Sequence, residues 1–180
     1  MHFDDPHILN LVRVIKEQYA LDWRGIHGVE HWARVWENGM RLAEETGANA
    51  EVVGYFALFH DACRLNDGRD SQHGKRGAEL AAQWRGELFE LGDAEFDLLY
   101  EACAHHTSGE TEGDPTIQTC WDADRLDLGR VGITPVAHRL CTQPAKRADT
   151  IAWANERAAN RAIASHRIEE EIWSTKPLST

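Results

Sequence analysis

The residues of this chain that could do chemistry are histidines and aspartates spread along its length in a fixed order: His31, then His60-Asp61, then His73, then His105-His106, then Asp124. Imidazole nitrogens and carboxylate oxygens together suit a divalent transition metal such as Mn, Fe, Co, Ni or Zn better than Ca, which prefers oxygen alone. The tandem His60-Asp61 is informative because neighbouring helix residues point about 100° apart, yet both can reach a metal at the mouth of a helix. The pair also follows a strongly apolar run, Val52 to Phe59. An unpaired imidazole and carboxylate buried there would be costly, and coordination removes that cost. Any one of these histidines taken alone reads as a hydrogen-bonded structural residue; their joint order points to a metal site.

Two further features compete for the same chemistry. Asp122 and Asp124 stand in Asp-Ala-Asp, and residues two apart on a helix face nearly opposite ways, so only one of them is expected to bind. His27-Gly-Val-Glu30-His31 reads as H-x-x-E-H, the inverted zinc-peptidase motif, in which both histidines bind Zn and the glutamate is the base. That reading leaves His60-Asp61, His105-His106 and Asp124 without a role, and Gly28 weakens the helix it needs. His27 is otherwise expected to line the pocket mouth or cap the following helix.

The elements that must position these groups read as helices. After Pro6 a dense apolar set, Ile8 to Ile15 and then Tyr19, predicts a first helix ending near Asp22. Trp23 to Gly28 reads as a turn. Helical spacing from Val29 to Thr46-Gly47 puts His31 in the first turns of a helix with a glycine terminator. Glu51 to Cys63 predicts a helix buried on most sides that delivers His60 and Asp61 near its end. Asn66 to Asp70 is turn-forming, His73 to Trp84 is helical, and Asp93 is expected to cap a helix running to about Thr107. A solvated loop from Ser108 to Pro115 precedes a helix from Thr116 to Leu128, then an irregular stretch with Gly129, Gly132 and Pro135. The Ala/Glu/Arg-rich tail from Ala145 to Trp173 is helical by propensity and would either pack on the core or offer a homodimer face. No alternating strand pattern appears, so the expected fold is all-α, a single helical domain over residues 1–180.

Bulk properties narrow the function classes. At 180 residues with 42% hydrophobic content, one domain with one sizeable core is expected. With 30 acidic against 19 basic residues the net charge is −11, which disfavours a broad grip on nucleic-acid phosphates. In so acidic a chain the tryptophans Trp32, Trp36, Trp84 and Trp121 read as core packing rather than base-stacking platforms. Cys63, Cys103, Cys120 and Cys141 form no C-x-x-C pair, which fits reduced thiols. No basic leader and no run of about 18 apolar residues occurs. A soluble cytoplasmic protein without a membrane partner is expected.

The pieces His31-Trp-Ala-Arg34-Val35, Phe59-His60-Asp61, His73-x-x-x-Gly77-Ala78, His105-His106 and Ala123-Asp124-Arg125-Leu126, in that order, resemble the motifs of the HD superfamily of metal-dependent phosphohydrolases. The resemblance spans about residues 27–130. It implies His31, His60, Asp61 and Asp124 as the metal site, selecting Asp124 over Asp122, and His73, His105 and His106 as ligands of a second metal. The cofactor it implies is one or two divalent ions, Mg included. No lysine follows the His-Asp pair, where Cys63-Arg64 stands, and no Gly-Tyr-Pro follows His105-His106; the chain looks closer to small bacterial stand-alone HD proteins than to the cyclic-dinucleotide subtype. The implied reaction is hydrolysis of a phosphate ester or anhydride of a small phosphorylated substrate, a nucleotide among them. Asp61 would ligate and orient water, and His105 or His106 would protonate the leaving group. Arg64, Lys75, Arg76 and Arg125, the nearest basic residues in sequence, would contact phosphate or serve as salt-bridge partners. The non-catalytic alternative is a helical domain that binds metal and nucleotide without turnover.

Overall fold

The computed structural model of the protein describes residues 2, 3 and 5–162. The described residues form helices and no strand, apart from one isolated bridge between Arg85 and Phe89. Helix α1 spans Pro6–Gln18; Pro6 opens it and the Asp5 carboxylate accepts from the His7 amide at 2.9 Å. It stops at Gln18, short of Asp22, because Tyr19 turns extended: its ring packs edge-on against Trp23 and Trp32, and its hydroxyl donates to the His27 carbonyl at 2.8 Å.

Helix α2, Val29–Thr46, ends at Gly47 as its spacing predicts, and α3 spans Ala50–Phe59, capped by Asn49. Every α3 residue from Val52 to Phe59 is buried, since α2, α4, α5 and α6 pack around it. Such burial makes the helix hard to trim: truncating Phe56 to alanine is expected to destabilise by about 3–5 kcal/mol. His60 and Asp61 occupy the turns just past the helix end, not the helix itself.

Helix α4 is His73–Trp84, α5 Asp93–His105 and α6 Pro115–Arg125. Asp93 does not cap α5. Gly92 holds the cap position, and the Asp93 carboxylate accepts instead from Arg85 at 2.6 Å. Two glycines let α4 approach its neighbours. A Cβ on Gly77 would lie 2.1 Å from the Phe59 carbonyl oxygen, and one on Gly74 would lie 2.2 Å from that of Cys103. Their missing side chains bring the start of α4 against the end of α3 and the last turn of α5, where the histidines converge.

Beyond α6 come short 3₁₀ turns at Leu128–Val131 and Ala137–Arg139, then α7, Gln143–Lys146, and α8, Ala148–Ala159. A smaller core of Leu42, Leu126, Leu140, Ala145 and Ala154 pins α7 and α8 to α2 and the end of α6. The predicted tail therefore packs on the core through Ala159, and its part from residue 163 to Trp173 lies outside the described residues. Trp32, Trp36, Trp84 and Trp121 are buried packing residues, and all four cysteines are free. No described helix is long and apolar enough to cross a membrane.

Candidate metal centre

Four imidazoles meet between α2, the end of α3, the start of α4 and the end of α5. Each directs Nδ1 outward to a group that only accepts. His31 Nδ1 donates to Asp127 Oδ2 at 2.7 Å and His60 Nδ1 to the carbonyls of Phe56 and Ala57 at 3.1 and 3.2 Å. His106 Nδ1 donates to the Cys103 carbonyl at 2.8 Å, and His73 Nδ1 to that of Asp70. Their partners fix the tautomers: Nδ1 carries the proton and Nε2 of the neutral ring presents a lone pair.

Those Nε2 atoms point inward in two pairs. His31 and His60 bring theirs to 3.0 Å of each other, with Asp124 Oδ1 3.4 and 3.9 Å away. His73 and His106 bring theirs to 2.9 Å, with Asp61 Oδ1 at 3.1 and 3.7 Å. Asp61 spans the pairs, because its Oδ2 lies 3.7 Å from His31 Nε2 and 3.8 Å from His60 Nε2. Among the described residues, His31, His60 and Asp124 form one group that could hold a metal ion, and Asp61, His73 and His106 another. Facing lone pairs at hydrogen-bond distance repel unless a proton or a cation lies between them. The donor set, imidazole nitrogens with carboxylates, is the one divalent transition metals take, so the residues fit such an ion.

Electrostatics point the same way. Burial, Arg130 and His60 hold the His31 imidazole well below its ordinary pKa, and burial pushes His60 down to about 4, so both rings are neutral near pH 7, the form a metal would need. Burial pushes the Asp61 carboxyl up, but the imidazoles of His60, His106, His73 and His31 outweigh it and leave the pKa well below the usual carboxylate range. Asp124 is likewise held down against burial by His60, Arg130 and His31. His106 goes the other way: its hydrogen bond to Asp61 overcomes burial and raises its pKa.

Arg64 reaches this centre, donating to Asp61 Oδ1 at 3.3 Å with the same nitrogen 3.2 Å from His73 Nε2. Other sequence expectations fall elsewhere. His105 follows an adjacent helix direction, leaves its side chain 49% exposed and lies 3.9 Å from Glu101, so it joins neither group. His106 is turned inward: its Nδ1 proton is bound to the Cys103 carbonyl and its Nε2 faces Asp61 and His73. Lys75 sits on the exposed face of α4 opposite Glu79, and Arg76 donates to the Cys63 carbonyl and Asp70. Arg125 directs its terminal nitrogens to the carbonyls of Arg139 and Glu110 at 3.2 and 2.6 Å. None of these three cations is available to the cluster.

Asp122 is buried on the other side of α6, accepting from the amides of Cys141 and Thr142, both at 2.7 Å. In the H-x-x-E-H stretch, Glu30 accepts from Arg24, and His27 neither caps α2 nor joins a metal group, but pairs with Asp67 at 2.8 Å. That geometry removes the peptidase constellation.

Sequence reasoning gave no role to the groups behind the ligands. Asp127, only 1% exposed, accepts from His31 and is gripped by Arg34, whose Nε lies 2.6 Å from Oδ1 and Nη2 3.1 Å from Oδ2. Arg130 lies 3.9 Å from Asp124 Oδ1 while donating to the carbonyls of Ile26 and Asp127. A usable signal was present: Arg34 and Asp127 each stand three residues after a ligand, one helical turn along the same face.

The family model described as HD domain matches residues 28–154 of the chain. No curated protein and no solved structure matches it.

Proposed function

This chain belongs to the HD-domain family, and from that premise we propose that it is a metal-dependent phosphohydrolase cleaving a phosphate ester or anhydride of a small molecule, with nucleotides the first substrates to examine. The observation that carries this reading is Asp61, whose two oxygens face the two ligand groups separately. His31, His60, Asp124 and Asp61 would hold one ion, and Asp61, His73 and His106 a second. Bound divalent metal supplies Lewis acidity, acidifying water and offsetting charge that grows on phosphoryl oxygens. The chain's own groups do the rest. Asp61 orients water between the two halves, and burial keeps His31 and His60 unprotonated so that they remain ligands. Asp127 fixes the ring of His31, and Arg64 and Arg130 are the cations nearest a phosphate seated there.

The test is a turnover screen over nucleotides and other organic phosphates with Mn, Co, Ni and Mg added in turn, run on wild type beside Asp61→Ala. Metal-dependent hydrolysis that disappears in the variant is expected. Silence of the metal-loaded wild type across the whole panel would favour a binding domain without turnover.

A further inference from the structure

A cavity of about 450 Å³ opens on the metal cluster, with Asp124 and His106 in its lining. Both are largely buried ligand candidates and so form its floor. The wall is mostly apolar, built from Leu128, Ile133, Val136 and Leu140. Large apolar side chains left in water are rare among the described residues. Yet Val131, Ile133 and Val136 fall within one short stretch, with Ile133 54% and Val136 44% exposed. Two of them thus present apolar area to a pocket that ends in charged ligands, an arrangement typical of a site for a molecule with one polar and one apolar end.

The wall is fixed in place. Asp122 ties down the amides of Cys141 and Thr142 at its base, and Leu140 is part of the second core. Arg125 links the Arg139 carbonyl across the pocket to that of Glu110. Of the two arginines in the lining, Arg125 is therefore committed to structure, whereas the guanidinium of Arg139 has no partner among the described residues.

We infer that this pocket selects phosphate esters whose organic group is a flat, largely apolar ring, an aryl group or a nucleobase, over hydroxyl-rich sugar and glycerol phosphates. Ile133 and Val136 are the specificity-determining residues, and Arg139 meets the negative charge of the substrate. A ring face covers the exposed isoleucine and valine, while sugar hydroxyls set against them would lose water without gaining partners. The inference rests on the hydrolase reading, and binding measured apart from turnover separates the two.

The experiment measures kcat/KM of the Mn-loaded protein for phenyl phosphate, a nucleoside monophosphate and glycerol 1-phosphate. Calorimetric binding of phenylphosphonate, which cannot be hydrolysed, is measured in parallel. Wild type is expected to prefer the ring-bearing esters. In Ile133→Asn and Val136→Asn the ring-to-glycerol ratio of kcat/KM should fall about tenfold, mainly through KM. Arg139→Gln should raise KM for every ester while leaving that ratio in place. Phenylphosphonate that binds wild type and weakens in the two asparagine variants, with no ester turned over, supports the pocket and sinks the hydrolase reading. Equal efficiency for glycerol 1-phosphate and phenyl phosphate, or phenylphosphonate binding unchanged in both asparagine variants, overturns the inference.

Discussion

The two ligand groups are made of the same residue types but differ in what else reaches them. Around His31 and His60, the cation beside Asp124, Arg130, stands 3.9 Å from its carboxylate and donates to backbone carbonyls, and burial keeps both rings neutral. Around His73 and His106, Arg64 places a guanidinium nitrogen against Asp61 and His73, and Asp61 favours the protonated form of His106. The second group thus carries its own positive charge; the first has none at hydrogen-bond distance. A metal ion gains most where lone pairs have no other partner, so the first group is expected to bind tightly and the second to bind weakly and exchange with Arg64 and protons.

The largest effect should come from the ligands themselves. His31→Ala is expected to cost about 10³-fold or more in hydrolysis and to strip the tight ion, whereas His73→Ala should keep that ion and lose only the weaker one. Titration of each variant with Mn checks this; equal loss of the tight ion in both would erase the distinction between the groups.

Asp127→Asn probes the support behind the first group alone. It leaves Arg34 buried with a neutral partner and weakens the grip on His31, so metal affinity should drop about 10- to 100-fold with the second group unaffected. A competition assay against a chelator reads it directly.

The pH dependence of stability should follow the same division. In chelator-treated protein, His31 and His60 are neutral when folded but protonate when unfolded below about pH 6.5. The unfolded chain therefore binds more protons between that value and the folded His60 value of about 4. Stability should rise with pH through this window, by about 1.4 kcal/mol per unit for each such group. His106 has the opposite sign: its raised pKa adds stability that is complete below the ordinary histidine value and fades as pH rises through the folded one. Urea melts at about pH 5 and pH 6.5 test the slope, and a flat profile would mean the two rings are not held neutral. The smallest effect is expected from His105→Ala and Lys75→Ala, which lie outside both groups and should change hydrolysis less than about twofold.

How much of this was legible in the sequence depended on whether residue type or direction decided the matter. Helical periodicity located α2, α3 and α4, and the ordered nitrogen and carboxylate donors marked out the candidate residues, from which the resemblance to the HD superfamily implied His31, His60, Asp61 and Asp124 as one set. Direction was not available. Adjacent helix residues point about 100° apart, so the pair His105-His106 gave no sign which ring faces inward; the contact of α4 with α5 through Gly74 decides it. The same geometry sends Lys75 to solvent although His73, two residues earlier, is buried at the cluster. The apolar wall from Leu128 to Leu140 has no periodic pattern, so its relation to the metal cluster emerges only when the chain folds back over α6.

Metal content tests the two-part site most directly. Elemental analysis at equilibrium with excess Mn, the free ion in the dialysate subtracted, should find about two equivalents on wild type and less than about half an equivalent on Asp61→Ala, because one carboxylate serves both groups. Wild type that holds no ion, or an Asp61→Ala protein that retains the full complement, would contradict it.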